Sequence, residues 1–73
     1  MKRQLIAIIE RQGDGYASIC PELDIASQGT TIQEARENLR EALELFFERA
    51  SPTEIQHRLR EEVYVTQVEV VVG

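Results

Sequence analysis

"TTIQEARENLREALELFFERA", residues 30–50, decides the fold of this chain. Ile32, Ala35, Leu39, Ala42, Leu43, Phe46 and Ala50 recur at steps of three and four. At about 100° per residue they fall in one apolar stripe about 100° wide, which marks a core-facing helix of about five turns. Thr31 and Glu34 have the T-x-x-E spacing of a capping box, so the helix is expected to start there. Gly29 gives the preceding chain the freedom to turn sharply into it. Leu45 and Phe47 lie off the stripe on opposite sides, as candidates for contacts beyond the main core.

Upstream, "RQLIAIIER", residues 3–11, reads as a strand apolar on both faces. Leu5, Ala7 and Ile9 share one face, Ile6 and Ile8 the other. "GDG", residues 13–15, signals a hairpin, and "YASIC", residues 16–20, is its returning strand. Pro21 cannot donate to a ladder and should end that strand. A short third strand is expected around Ile25–Ser27. Downstream, Ser51, Pro52 and Glu54 form a second capping signature opening a short helix. "VYVTQVEVVV", residues 63–72, is dense in β-branched residues and predicts a last strand with Tyr64, Thr66, Val68, Val70 and Val72 inward. The expected class is α+β in two layers: an antiparallel-rich sheet packed on one long helix, in the order β-β-β-α-(short α)-β. One helix covers one face. Ile6, Ile8, Val63, Val65 and Val71 are left over and point to a homodimer or higher homo-oligomer.

Seventy-three residues allow one domain, 1–73. Cys20 is the only cysteine, so no internal disulfide is possible, and it reads as a small buried hydrophobe. Thirteen acidic residues against eight basic ones leave a net charge of −5. That balance argues against a nucleic-acid surface and favours a basic partner or nothing more than solubility. No apolar run approaches the roughly 20 residues of a membrane span, and the apolar part of the N-terminus is too short for a signal peptide. A cytoplasmic protein is expected.

No catalytic site, cofactor site or metal site emerges. Asp14 belongs to a turn, and His57 lies off the apolar face of its helix as a solvated residue. Asp14, Glu22 and Asp24 share no spacing that would bring them onto a cation. Ser18 and Ser27 lack any nucleophile motif, and the four glycines form no phosphate loop. The chain does not read as an enzyme. What stands out is a row of acids, Glu34, Glu37, Glu41, Glu44 and Glu48, stepping along the helix away from its apolar stripe. Such a row is either a solvated face, flanked by Arg36, Arg40 and Arg49, or a dock for a basic protein. Glu22 and Asp24 extend the second reading into the loop.

"YASICPELDIASQGTTIQEARENLREALELFF", residues 16–47, closely resembles the HicB-like antitoxin domain. The shared pattern is an aromatic-led strand from Tyr16 to Pro21-Glu22-Leu23, then Ser27-Gln28-Gly29, then the Thr31-capped helix with Glu34-Ala35, Asn38-Leu39 and Glu41-Ala42-Leu43. The resemblance implies a partial ribonuclease-H-like fold without its catalysis. It also implies an antitoxin that neutralises a small, basic, mRNA-cleaving toxin of the HicA type. Many relatives repress their own operon through an added DNA-binding domain; here only Gly73 follows the last expected strand. No C-terminal DNA-binding domain, and no direct nucleic-acid binding, is therefore expected. The loop "PELDIASQG" is a short form, and Thr30 stands where an acid often precedes the capping threonine. Two functions follow: an antitoxin-like inhibitor acting through Glu22, Asp24, Glu37, Glu41, Glu44 and Glu48, or a stand-alone structural or small-partner module without a toxin.

Overall fold

The computed structural model describes residues 2–73 and divides them between an ordered body and a C-terminal segment that pairs with nothing. Three strands form the sheet: β1 (Ile8–Gln12), β2 (Gly15–Cys20) and β3 (Ile25–Gly29). They lie in the order β1-β2-β3, antiparallel throughout. The β1–β2 hairpin turns on Gly13 and Asp14. Its positive φ, +61°, falls on Gly13 rather than on Gly15, which opens β2 opposite Gln12. β2 stops before Pro21, as its missing N–H requires.

Register fixes the faces. Ile9 lies opposite Ser18, and Ser18 lies opposite Ser27, on the covered side of the sheet. Ile8, Ile19 and Ala26 form a second row on the open side. Ile8 and Ile9 take the opposite sides expected of them, but the paired strand begins only at Ile8, and upstream of it Ala7 is exposed and Ile6 half-buried. β3 runs two residues beyond its expected end, to Gly29.

The long helix α1 spans Ile32–Arg49, and the short helix α2 spans Pro52–Arg58. Both start at the expected caps: Glu34 N–H donates to Thr31 Oγ1 at 3.0 Å, and Glu54 N–H donates to Ser51 Oγ at 3.1 Å. The first box closes one residue early, because the Glu34 carboxylate accepts from Thr30 N–H at 2.7 Å. Gly29 also has a different reason from the expected one. Its φ is ordinary, but a Cβ there would come within 2.5 Å of Ala35 N, so the helix can pack against β3 only where a side chain is lacking.

Ala35 and Leu39 are fully buried under the sheet, and Leu39 clusters with Cys20 and Leu23. Leu43, Phe46 and Leu5 pack around that cluster. Ser18 ties the layers together by donating to the Ala35 carbonyl at 2.9 Å. Two helix residues depart from expectation, one on the stripe and one off it. Ile32, the first residue of α1, is 56% exposed. Phe47, placed off the stripe, joins the core edge-on to Phe46 with ring centroids 5.4 Å apart.

The expected last strand is not formed in this chain. Residues 63–72 join no ladder, and Tyr64, Val68, Val70 and Val72 of the expected inward set are exposed. The observed class is α+β, a three-stranded antiparallel sheet with a long and a short helix.

Candidate functional site

The acidic row sits on α1 because the cap that sends Ala35 and Leu39 inward sends Glu37, Glu41, Glu44 and Glu48 outward. Its charges are not all free. Glu37 is bridged to Arg36 at 2.9 Å and to Arg40 at 3.0 Å, and Arg40 also reaches Glu44 at 2.9 Å. These two carboxylates hold the Arg40 guanidinium above its ordinary pKa, Glu37 first and Glu44 second. Exposed pairs of this kind are screened by solvent and add little to stability. They lower the field of the row near its middle. Glu41 and Glu48 are exposed and make no ion pair among the described residues. Glu34 is taken by the cap.

Glu22 belongs to a different site. It is only 7% exposed, and both of its oxygens accept from the Ile6 N–H, at 3.2 and 3.0 Å. Cys20 Sγ–H donates to the same carboxylate at 3.4 Å. Burial pushes the Cys20 thiol above its ordinary pKa, and the neighbouring carboxylate adds to the shift. The arrangement clamps the residues before β1 to the end of β2. It takes Glu22 out of the exposed acidic surface. Asp24 keeps an exposed side chain, but its φ of +56° and its N–H bond to the Cys20 carbonyl at 2.8 Å give it a turn-forming role.

The second helix closes on the same corner. Arg58 donates to the Leu23 carbonyl at 2.9 Å while its guanidinium lies 4.9 Å from the Phe46 ring centre. Arg60 N–H then donates to the Glu22 carbonyl at 2.8 Å. Neither the Glu22 clamp nor the Arg58 strap was foreshadowed, because each joins residues far apart in sequence through a backbone atom. His57 and Asp14 are exposed. No group of three or more His, Cys, Asp or Glu side chains converges among the described residues. Of the residues expected between subunits, Ile6 and Val63 are half-buried, and Ile8, Val65 and Val71 are exposed. Among the described residues no helix is long and apolar enough to cross a membrane.

Among known proteins, the chain is 50% identical over 50 residues to UPF0150 protein ssl0738 of Synechocystis sp., a match spanning 66% of this chain and 69% of that protein. The chain belongs to the UPF0150 family. No family model matches it, and no solved structure does. Membership of UPF0150 names no activity, so the chemistry must come from the surface. For this UPF0150 chain that surface is the outward face of α1, with Glu41 and Glu48 as its free charges.

Proposed function

We infer that this UPF0150 chain is an antitoxin-like regulatory binding protein. Its partner is a small, basic, mRNA-cleaving toxin of the HicA type, which it neutralises by contact rather than by chemistry. The observation that carries the reading is the exposed α1 face, where Glu41 and Glu48 make no ion pair among the described residues, in a chain of net charge −5. The HicB-like pattern of residues 16–47 supports it from the sequence side. Complementary charge would steer the encounter and set its rate.

The Arg40 bridges favour the second reading, a solvated face on a stand-alone module, because they spend two of the four outward carboxylates within the chain. One titration separates the two. The probe is any small basic protein encoded beside this chain, and its association is measured with wild type and with Glu41→Lys/Glu48→Lys. The antitoxin reading expects association slowed about tenfold or more, with the difference shrinking as salt shortens the screening length to about 8 Å at 0.15 M. Unchanged association, or a neighbouring protein that does not bind, leaves the stand-alone module.

A further inference from the structure

The C-terminal segment, residues 63–72, carries a single charge, Glu69, in ten positions and is β-branched at most of the others. No hydrogen bond links residues 61–73 to the rest of the described chain, and Val71 is 99% exposed. An apolar strand sequence left in water is a template for pairing, and proteins normally cover or charge it. The dimensions show how far it departs from a packed state. The radius of gyration is 14.3 Å and the long axis 48 Å. A compact chain of this length would have a radius near about 11 Å. Its accessible surface is 6246 Å², against roughly 4,600 Å² for a compact protein of this mass. The excess is larger than the roughly 800 Å² that each partner contributes to a standard interface.

The sheet offers one place for such a strand. β3 is held along α1, where Asn38 Nδ2–H donates to the Gln28 carbonyl at 2.8 Å and Glu34 takes the Thr30 N–H. β1 pairs only with β2 and leaves its outer edge open. The Ile6 N–H is occupied on the β2 side by Glu22, so that edge is held in place without being covered. The charges also match. Residues 2–11 carry Lys2, Arg3 and Arg11 against Glu10, while residues 61–72 carry Glu61, Glu62 and Glu69 with no cation. Arg60, bonded to Glu22, releases the segment at the corner where β1 begins. From there it joins no ladder of its own sheet.

We propose that residues 63–72 of one copy add as a fourth strand to the open β1 edge of a second copy, reciprocally, so that the chain is a strand-exchanged homodimer. The exchange gives each segment a ladder and sets its apolar side chains beside Ile6 and Ile8. It follows from the unpaired segment and the open edge alone, so it stands or falls separately from the antitoxin reading.

Full-length protein is studied by sedimentation and by isotope-filtered NOE spectroscopy on a mixture of labelled and unlabelled copies. The expected result is a species of twice the 8.3 kDa chain mass, with contacts between copies joining Val65, Val68 or Val70 to residues 6–10. Val65→Pro/Val68→Pro places a missing donor on each side of the segment, so one of them must strike the ladder. That variant should sediment as a monomer with an unchanged body spectrum. A concentration-independent monomer overturns the proposal. So does a dimer whose segment contacts lie within one copy, or one that survives both prolines.

Discussion

Residues 5–9, Leu-Ile-Ala-Ile-Ile, and residues 68–72, Val-Glu-Val-Val-Val, are equally good strand sequences and meet opposite fates. The first is drawn into the body: Ile8 and Ile9 pair with Ile19 and Ser18, and Ile6 is clamped by Glu22. The second pairs with nothing. The difference lies in what each finds next to it. A two-residue turn at Gly13 delivers β2 to β1 at almost no loop cost, whereas the C-terminal segment arrives after two helices with no turn to dock it. Strand propensity describes fitness for a pleated, half-buried surface, and without a neighbouring strand that fitness is unrealised.

The contrast can be broken from the body side. Leu39→Ala empties the centre of the cluster with Cys20 and Leu23, and should cost about 2–5 kcal/mol in urea unfolding. Val71→Ala in the segment should change the stability of the monomeric body by less than about 0.5 kcal/mol. Comparable losses would mean that the segment belongs to the core. A smaller effect is expected at the clamp. Glu22→Ala leaves the Ile6 N–H without its acceptor and should cost about 1–3 kcal/mol, seen as a lower urea midpoint and faster amide exchange at Ile6. An unmoved midpoint would assign the hold on β1 to the hairpin alone.

The smallest effect concerns Cys20, whose thiol is raised by burial. A group with a raised folded pKa adds stability that is complete below its unfolded pKa, about 8.5 for a thiol, and is lost as pH rises through the folded value. Unfolding midpoints should therefore fall in mild alkali in wild type, and fall less in Cys20→Ala. An equal fall in both proteins would show that other groups carry the alkaline loss.

Much of the body was legible because its determinants are local. The caps at Thr31 and Ser51, the Pro21 stop and the period of α1 each act within a few residues. What was not legible depends on distance through space. The exposure of Ile32 and the packing of Phe47 edge-on to Phe46 are set by tertiary packing that the helical period alone does not carry. Glu22 reads from sequence as part of an exposed acidic surface because its partner is a backbone N–H sixteen positions earlier. The acidic row was visible as a pattern, but which of its carboxylates Arg40 would claim was fixed only by side-chain geometry. The last strand, read from the β-branched residues 63–72, forms no strand and joins no ladder in this chain, because no neighbouring strand is delivered to it.

Amide hydrogen exchange of residues 63–72 across a dilution series tests most directly the claim that this segment waits for an edge. The account predicts protection in the concentrated, paired state and near-coil exchange in dilute protein, while β1–β3 and α1 stay protected at both ends of the series. Protection of residues 63–72 that does not change on dilution would place the strand on its own sheet, and exchange at coil rates at every concentration would leave it without an edge; either contradicts the account.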